Sequence, residues 1–278
     1  MPPVPSRPDR PVSGRRRVLI TGASAGIGAA LARVYAGHGW DLVLTARREA
    51  PLQALAAELV AAHGVAVAIQ TADLADPGAP AELVAALDRQ GLTLDALVNN
   101  AGFSRTAGFL GAAPTDHAAM IAVMLTAPVA LSRLLLPGMV ERGYGRVLNV
   151  ASLAGLMPAT GGDTLYGPIK SFLIKASAGL HLELEGTGVH VTALCPGYTL
   201  TEFHDVNGSR DQVSSAYPAW MWQTADHVAR VGYAAVEANR ARVVPGWRNQ
   251  LLAAIPKLLP DAVALKIIGG HARRLKRI

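Results

Sequence analysis

The chain has 278 residues, of which 51% are hydrophobic and 5% aromatic, and its formal net charge is +6. A chain of this length can bury one large core, and because no linker interrupts its middle we predict a single domain. Its one cysteine, Cys195, excludes a disulfide framework and a thiolate metal cluster. We therefore expect a buried thiol and a reducing compartment, the cytoplasm.

The positive charge is concentrated near the two ends of the chain. Five arginines precede residue 18, and a second basic group lies within residues 266–277. This distribution predicts only weak contacts with anionic surfaces and argues against specific recognition of nucleic acid. No apolar segment follows the first arginines, so a secretory signal is not supported. The longest uncharged runs, residues 117–132 and 147–162, are too short and too broken by proline or glycine to cross a bilayer.

Two extensions flank the predicted domain, which covers residues 15–246. Residues 1–14 carry prolines at positions 2, 3, 5, 8 and 11 and are predicted to form a disordered arm. Residues 247–278 are predicted to form a basic, amphipathic, helical extension that is solvated or packs against another subunit. Contact of this extension with an anionic membrane is the alternative.

A glycine-rich turn follows the first predicted strand, residues 18–20, and leads into an apolar helix. The turn runs from Thr21 to Gly28. Such a turn lets the backbone approach a pyrophosphate, and the helix N-terminus supplies free N–H groups and a positive dipole. The pattern indicates a dinucleotide-binding loop, with an ordinary tight turn as the alternative.

Two arginines follow the second predicted strand, residues 41–46. Dinucleotide-binding folds usually place an acid there to bind the ribose 2′-hydroxyl, whereas Arg47 and Arg48 would bind a 2′-phosphate. The sequence therefore favours NADP over NAD. The alternative is that both arginines are solvated at the start of a helix that reaches Leu59.

Strands and helices continue to alternate along the rest of the chain. This alternation predicts an α/β fold with a doubly wound parallel sheet and a ligand cleft beyond the carboxyl ends of the strands. We expect Pro128 and Pro137 to interrupt the longest helix. The predicted strands cover residues 65–69, 95–98, 147–151, 189–194 and 242–244, and the predicted helices cover residues 80–89, 115–141, 166–185 and 224–240.

A tyrosine and a lysine, Tyr166 and Lys170, lie four residues apart on the helix that follows Ser152. Residues four apart share a helix face, so the phenol and the ammonium would enter one cleft. A phenol titrates near 10, and we expect the ammonium to lower the pKa of Tyr166 toward neutrality by about 3 units. The pair would then handle protons; a solvated helix face is the alternative.

A long segment, residues 198–222, has the composition of a loop that carries several aromatic residues. A loop of that length inside a domain is usually functional, so we predict a lid over an apolar substrate. The residues predicted to contact the substrate are the aromatic ones, Phe203, Tyr217, Trp220 and Trp222.

Together these motifs resemble the short-chain dehydrogenase/reductase family. The resemblance runs from residue 17 to about residue 244. It rests on the glycine-rich turn, on the Asn-Asn-Ala-Gly sequence at residues 99–102, on Ser152, on the Tyr166 and Lys170 pair, and on residues 196–201. The resemblance implies a Rossmann sheet of about seven strands, hydride transfer between NADP(H) and a carbonyl or alcohol, and a homo-oligomer, either a dimer or a tetramer.

The resemblance also assigns roles to residues. Ser152 would hydrogen-bond the substrate oxygen, Tyr166 would exchange its proton as general acid or base, and Lys170 would lower the pKa of the tyrosine and bind the nicotinamide ribose. The implied cofactor-binding residues are Gly22, Ser24, Ala25, Gly26, Ile27, Gly28, Arg47, Arg48, Asp73, Leu74, Asn100, Ala101, Gly102, Tyr166, Lys170, Pro196, Gly197, Thr199 and Thr201.

Three features depart from the family pattern. Met124 stands where the family has an asparagine that supports a water linking the lysine to solvent. Methionine has no amide, so a relay through that side chain would be impaired, whereas one through the backbone carbonyl would survive. Pro168 lies between the tyrosine and the lysine, where the first turn of a helix tolerates it. The spacing from serine to tyrosine is one residue longer than is common, and residues 161–162 could absorb the extra residue in a loop.

Three functional hypotheses follow. The first is an NADP(H)-dependent carbonyl reductase or alcohol dehydrogenase that acts on a bulky, apolar substrate. The second is a dinucleotide-binding scaffold or sensor, motivated by Met124. The third is a reductase of fatty acyl or steroid substrates at a membrane surface, suggested by the basic tail. The eight histidines show no ligand spacing, so no metal is expected, and Asp95 is expected to brace its strand.

Overall fold

A seven-stranded parallel sheet organises the protein. The computed structural model describes residues 14–104, 108–159, 163–201 and 219–274. The strands of the sheet lie in the order β3-β2-β1-β4-β5-β6-β9. The strands are β1 (Arg17–Thr21), β2 (Asp41–Thr45), β3 (Val67–Ile69), β4 (Ala96–Asn99), β5 (Gly145–Val150), β6 (Val189–Leu194) and β9 (Arg242–Val243); a separate parallel pair is formed by β7 (Thr199–Leu200) and β8 (Gln223–Thr224).

Helices cover both faces of this sheet. In chain order they are α1 (Gly26–Gly37), α2 (Glu49–His63), α3 (Ala79–Arg89), α4 (Pro114–Ile121), a π-helical segment (Ala122–Thr126), α5 (Ala127–Glu141), α6 (Tyr166–Glu183), α7 (Ala225–Glu237), α8 (Trp247–Ala254) and α9 (Asp261–Arg274); short 3₁₀ turns cover Leu153–Leu156, Ala219–Met221 and Ile255–Leu258. The predicted fold class, an α/β doubly wound parallel sheet of about seven strands, is confirmed.

The strand order reverses direction beside β1. This strand pairs with β2 on one side and with β4 on the other. The chain therefore leaves β1 toward one edge of the sheet and returns to build the other half from β4 onward. In such sheets the ligand crevice opens where the two halves diverge, beyond the carboxyl ends of the strands. The ends of β1 and β4 thus mark the place to look for a site.

The core consists of two apolar layers, one on each face of the sheet. Leu31, Leu59 and Val236 belong to the layer under α1, α2 and α7. Leu87 and Leu135 belong to the layer under α3 and α5. Burying each such side chain stabilises the fold by about 1.5–3 kcal/mol. Because strands β1, β2, β4 and β5 are buried at every residue, their near-continuous apolar sequences are those of a sheet covered on both sides.

The longest helix differs from the prediction. Residues Pro114–Glu141 form one 28-residue helix, interrupted by the π-helical segment and not broken at either proline. Pro128 lies in the first turn of α5, and Pro137 lies inside that helix. Pro128 has no N–H to donate to the carbonyl of Met124 four residues earlier, so the regular α-helical bond cannot form there. A local π turn accommodates this loss without ending the helix.

The same helix shows that the prediction that every apolar run is too short or too broken to cross a bilayer is wrong as to length and composition. Among the described residues it is the one helix long and apolar enough to do so by length and composition. Half of its most apolar window is buried inside the protein, as happens in the core helix of a globular domain. Its buried residues include Met120, Leu131 and Leu135, which pack in the core.

The C-terminal extension is helical, as predicted, but it forms two helices, α8 and α9, joined by the 3₁₀ turn. Of the predicted lid, the structure describes the two ends. Thr199–Leu200 pairs with Gln223–Thr224, so these ends are held together by the β7–β8 pair. Residues 202–218 of the predicted lid, residues 161–162 and most of the predicted N-terminal arm lie outside the described residues.

Several structural predictions for polar residues are confirmed. Asp95 braces β1, because its Oδ2 accepts a hydrogen bond from the Arg17 backbone N–H at 3.0 Å. The helix predicted over residues 224–240 begins at its expected place, where Thr224 caps α7: its Oγ1 accepts from the N–H of His227 at 3.2 Å. The thiol of Cys195 is fully buried in an apolar cluster with Ala151. None of these residues is left over for chemistry.

Candidate active site

The threonine at the end of β1 joins the two halves of the sheet at the crevice. Its Oγ1 donates to the carbonyl of Val98 at 3.2 Å and accepts from the backbone N–H groups of Asn100 and Ala101 at 2.9 and 3.0 Å. Three hydrogen bonds on one buried hydroxyl fix the turn after β4 against the glycine-rich turn. Thr21 is a supporting residue that the sequence motif contains but that sequence reasoning did not single out.

The glycine-rich turn lies tightly against the segment after β4. Gly22 has a φ of +66°, and a side chain on Gly28 would place its Cβ 2.3 Å from the carbonyl oxygen of Gly22. The amide of Asn100 donates to the carbonyls of Thr21 and Gly22 at 2.9 and 3.2 Å. Asn100, which is predicted to contact the ribose side of the cofactor, thus also has a structural role, because its amide nitrogen holds the glycine-rich turn in place.

The N-terminus of α1 opens toward this crevice. The residue preceding the helix is Ala25, which has no side chain to cap the first N–H groups, and the first turn contains no acid. Free N–H groups and the positive end of the helix dipole suit a phosphate group. A side chain on Gly26 would lie 3.0 Å from Thr201, so the segment after β7 closes over the turn. The uncapped N-terminus of α1 therefore has the polarity that favours a phosphate group.

The two arginines after β2 lie beside the same turn. Both are exposed, and Arg48 donates from Nη2 to the hydroxyl of Ser24 at 3.4 Å. Further along the crevice, Leu74 is buried and Asp73 is exposed, its Oδ1 accepting from the N–H of Ala75 at 3.0 Å. The two arginines follow β2, and Asp73 and Leu74 follow β3, so all four lie beyond the carboxyl ends of these strands. The exposed arginines are available to a ligand that binds beside the glycine-rich turn.

Ser152 and Tyr166 are brought together at the end of β5. The hydroxyl of Ser152 accepts from the N–H of Ala154 at 3.1 Å and forms a side-chain hydrogen bond with Tyr166. Tyr166 is half-buried at the start of α6. Burial of the phenol raises the pKa of Tyr166 to about 12; the hydrogen bond with Ser152 opposes this rise, and the carboxylate of Asp163 adds to it. The phenol is therefore protonated at neutral pH.

Lys170 is buried beneath this pair. Its side chain is 4% exposed, and Nζ donates to the carbonyl of Val150 at 2.8 Å. The ammonium lies 5.6 Å from the centroid of the Tyr166 ring. Burial lowers the pKa of Lys170 to about 8, and the nearby thiol of Cys195 opposes this effect. A lysine with this lowered pKa can lose and regain its proton at mildly alkaline pH, whereas an ordinary surface lysine stays almost fully protonated there.

The expectation that Lys170 lowers the pKa of Tyr166 is wrong for this arrangement. The ammonium is directed to a backbone carbonyl at the end of β5, and it is not among the groups that shift the phenol's pKa. Desolvation acts on both groups, and it disfavours the charged form of each. Burial raises the pKa of the Tyr166 phenol and lowers the pKa of the Lys170 ammonium, so it favours the neutral form of each group.

Met124 lies at the back of the site within the π-helical segment. It is 1% exposed and packs with Met120 and Ile169. A side chain on Gly102 would place its Cβ 3.0 Å from the Met124 sulfur and 3.7 Å from Lys170 Nζ. The thioether therefore fills the space beside the glycine that faces the lysine. The wall behind Lys170 is apolar at the position where the family pattern has an amide.

The turn after β6 is held by residues that sequence reasoning missed. A side chain on Gly197 would lie 2.6 Å from the amide of Asn249, which is buried on α8. Asn249 Nδ2 donates to Gln223 Oε1 at 3.1 Å and to the carbonyl of Pro245 at 2.9 Å. The C-terminal extension thus supports the segment that carries Thr199. No sequence motif marks this contact, because 52 residues separate Gly197 from Asn249.

The predicted substrate residues divide into three groups. Trp222 is half-buried and packs with Tyr198 and Met221. The ring centroids of Trp222 and Tyr198 are 5.6 Å apart. Trp220 is 53% exposed and lies outside that cluster, near the guanidinium of Arg248 at 5.1 Å. The other two, Phe203 and Tyr217, lie outside the described residues. The apolar cluster around Trp222 lies next to β7, the segment that leads to Thr201.

Comparison with known proteins supports the resemblance to the short-chain dehydrogenases. The profile of the family described as short chain dehydrogenase matches residues 16–212. The chain is 37% identical over 225 residues to a serine 3-dehydrogenase of Agrobacterium fabrum, covering 78% of this chain and 86% of that enzyme. It is 38% identical over 201 residues to an NADP-dependent 3-hydroxy acid dehydrogenase of Salmonella typhi, covering 70% and 77%.

A solved structure agrees with this result. A short-chain dehydrogenase from Sphingobium yanoikuyae in complex with NADPH superposes with a TM-score of 0.76 at 32% identity. The match covers 88% of this chain and 98% of that chain. The likeness therefore extends over the sheet and its flanking helices as a unit.

The depressed pKa of Lys170 predicts a pH-dependent stability. An unfolded lysine titrates near 10.4, so between about pH 8 and pH 10.4 the unfolded chain binds a proton that the folded protein has lost. The free energy of unfolding should therefore gain a contribution of about 3 kcal/mol as pH rises through this window. At pH 7 the folded protein bears the whole cost of the buried charge.

Replacing this lysine should remove the effect. We expect Lys170→Met to have a higher free energy of unfolding than the wild type, and this difference should be larger at pH 7 than at pH 9.5. Urea denaturation at both pH values measures it. Lys175→Met is the control, because Lys175 is exposed on the same helix. Equal differences at the two pH values for Lys170→Met would show that the ammonium is not desolvated.

Proposed function

The chain belongs to the short-chain dehydrogenase family, and from this premise we propose that it reduces a neutral, bulky, apolar ketone or aldehyde, or oxidises the corresponding secondary alcohol. It is an NADP(H)-dependent oxidoreductase. The observation that carries the proposal is the half-buried phenol of Tyr166, hydrogen-bonded to Ser152 and backed by the buried Lys170 at the end of β5.

The glycine-rich turn and the N-terminus of α1 would hold the cofactor. The N–H groups at the start of α1 would bind the pyrophosphate, and Arg47 and Arg48 would bind the 2′-phosphate. The segment from Pro196 to Thr201 would cover the nicotinamide end, supported from behind by Asn249. The position of Arg48 next to Ser24 supports this assignment, because it places a guanidinium at the mouth of the glycine turn. When bound, NADPH supplies the hydride.

The walls around Tyr166 favour an apolar substrate. Apolar residues pack around Tyr166 itself, and the cluster formed by Tyr198, Met221 and Trp222 lies along the segment beside Thr199. Each wall can contribute its apolar area to binding a hydrophobic substrate. The two aromatic rings of the second cluster provide large rigid surfaces for this purpose.

One acidic residue near Tyr166 disfavours an anionic substrate. Asp163 is close enough to Tyr166 to raise the pKa of the phenol, so its carboxylate would also repel a carboxylate of the substrate. The relatives named above are dehydrogenases of serine and of 3-hydroxy acids, which carry such a group. We therefore propose that this chain shares their cofactor and reaction and differs from them in the charge of its substrate.

The proton would move through the residues at the end of β5. In the direction of reduction, Tyr166 Oη would give its proton to the substrate oxygen while Ser152 Oγ holds that oxygen by a hydrogen bond. The raised pKa of Tyr166 keeps this proton in place at neutral pH, which suits a general acid. Lys170, whose pKa is lowered to about 8, would then return a proton to the phenolate. This assignment favours carbonyl reduction as the direction for which the site is prepared.

Resupply of protons to Lys170 would not need an asparagine side chain. Pro128 cannot donate to the carbonyl of Met124, which leaves that carbonyl without its regular α-helical donor. The carbonyl could therefore accept from a water that links the lysine to solvent. Met124 is then compatible with an active enzyme. The alternative of a catalytically silent scaffold, which was based on Met124, is no longer favoured.

We also propose that the subunits associate through α5 and α6 and that the enzyme is cytoplasmic. Val129, Leu134 and Phe172 are exposed on these helices, and a groove between them is lined by Leu136, Leu180 and Leu184. The groove also contains Arg133, Glu141 and Glu183, so its charges are of both signs. A face with mixed charges can pair with a copy of itself without repulsion.

The proposal is tested by following NADPH oxidation across a set of neutral apolar ketones and aldehydes alongside 3-oxo acids. We expect turnover with the neutral compounds, and Tyr166→Phe should lower kcat by about 10²–10⁴ while leaving NADPH binding within a few-fold. Tyr144→Phe is the control, because that hydroxyl lies before β5, away from the site. Preferred turnover of 3-oxo acids would refute the substrate assignment, and full turnover by the Tyr166 variant would refute the mechanism.

The cofactor assignment predicts a change of preference when the arginines are replaced. Arg47→Asp combined with Arg48→Asp should raise KM for NADPH at least about tenfold, because two charge-assisted contacts to the 2′-phosphate are lost. KM for NADH should change little or fall. Arg89→Asp, an exposed arginine on α3, is the matched control. Equal effects on both cofactors would show that the arginines do not read the 2′-phosphate.

The relay assignment predicts that restoring the family residue brings little gain. Met124→Asn should leave kcat within about tenfold of the wild type while lowering the free energy of unfolding by about 1–3 kcal/mol, because it buries an amide in an apolar cluster. Met120→Asn, equally buried, separates the stability effect from the catalytic one. A much larger rate in Met124→Asn alone would mean that the wild-type relay is impaired.

A further inference from the structure

A row of large apolar side chains is exposed on the outer face of α8 and the 3₁₀ turn that follows it. Trp247, Leu251, Ile255 and Leu258 are 65%, 53%, 51% and 84% exposed. Their spacings of four, four and three residues place them on one side of a helical segment. Large apolar residues exposed in a contiguous row on a protein surface usually mark a place of contact with something else.

The opposite side of α8 packs against the rest of the protein. Asn249 and Ala253 are its buried residues, and Asn249 holds Gly197 and Gln223 as described above. The helix therefore cannot rotate to bury the exposed row without giving up the support of the turn after β6. The orientation of α8, and with it the exposure of the row, is fixed by tertiary contacts.

Neighbouring residues enlarge this apolar surface. Trp220 is 53% exposed, and the guanidinium of Arg248 lies 5.1 Å from its ring and 5.2 Å from the ring of Trp247. We refer to the exposed row on α8 and the 3₁₀ turn, together with Trp220, as the C-terminal face. Tryptophan beside arginine is a pairing that suits the boundary between water and lipid.

The charge of this region is one-sided. Residues 247–278 contain seven basic residues and one acidic residue, which equals the whole net charge of +6, and residues 1–246 are balanced. The C-terminal face is therefore an apolar surface set in a strongly positive segment. This combination differs from the groove on α5 and α6, where arginine and glutamate occur together.

The charge decides between the possible occupants. A second copy of the chain seated on this face would bring two segments of charge +6 together, which is unfavourable. A nucleic acid would satisfy the charge but would leave the aliphatic row in water. An anionic lipid surface satisfies both, since it offers negative headgroups above an apolar interior, and amphipathic helices with basic residues bind such surfaces.

We propose that the C-terminal face docks on the surface of an anionic lipid bilayer. Trp247, Leu251, Ile255 and Leu258 enter the boundary between headgroups and acyl chains, and Arg248 and Lys266 lie at the level of the lipid phosphates. The protein lies on the membrane and does not span it through this segment. Since the inner side of α8 supports the turn after β6, the docked enzyme presents that end of its site close to the lipid.

The test is co-sedimentation of the full-length protein with phosphatidylcholine vesicles that contain or lack phosphatidylglycerol. We expect binding to the anionic vesicles, weakened by added salt, and little binding to vesicles of phosphatidylcholine alone. Leu251→Glu combined with Ile255→Glu should reduce binding at least about tenfold, and Arg248→Gln should reduce it roughly fivefold. Both glutamates replace exposed side chains, so the fold and NADPH binding should be unchanged.

The control is Val60→Glu, which introduces an acid in place of an exposed apolar residue on α2, outside the C-terminal face. It should leave binding to vesicles unchanged. Absence of sedimentation with anionic vesicles at low salt overturns the proposal. So does a pattern in which the Leu251 and Ile255 variant shifts the protein from dimer to monomer without any effect of lipid, because the face would then be a subunit contact. Either result leaves the proposed oxidoreductase activity untouched.

Discussion

The close packing of the glycine-rich turn against the segment after β4 sets the geometry of the whole site. A side chain on Gly28 would collide with the carbonyl of Gly22, and the hydroxyl of Thr21 ties the two segments together with three hydrogen bonds. This contact joins the two halves of the sheet where their strand order diverges. The N-terminus of α1 and Arg48 lie beside this shared edge.

Desolvation is the second physical factor that shapes the chemistry. The pKa of Tyr166 rises and that of Lys170 falls because both groups lose water as α6 packs on the end of β5. Both changes favour the neutral forms, a protonated phenol and a lysine that can exchange its proton near neutrality. Met124 and its neighbours keep this part of the site apolar, whereas the carbonyl of Val150 holds the lysine in place. These pKa changes support the proposed role of Tyr166 as the proton donor to a carbonyl oxygen.

The C-terminal extension connects the site to the surface of the molecule. One side of α8 carries Asn249, which supports Gly197, and the other carries the exposed row that begins at Trp247. A surface that binds lipid would therefore lie one helix away from the segment proposed to cover the nicotinamide end. For an apolar substrate this arrangement shortens the path between the bilayer and the site. The subunit pairing proposed for α5 and α6 uses a different face and does not compete with it.

The sequence by itself determined the parallel α/β sheet, the glycine-rich turn between β1 and α1 and the presence of Tyr166 and Lys170 on one helix, because each follows from local periodicity or from a short motif. It did not determine the contacts of Asn249 or the continuity of the helix through Pro128, since these depend on distant residues and on a local π turn. Nor could it give the sign of the tyrosine's pKa shift. Spacing alone places both groups on one helix face, but only the packed structure decides how much water each group loses. Here that loss raises the pKa of Tyr166 and lowers the pKa of Lys170.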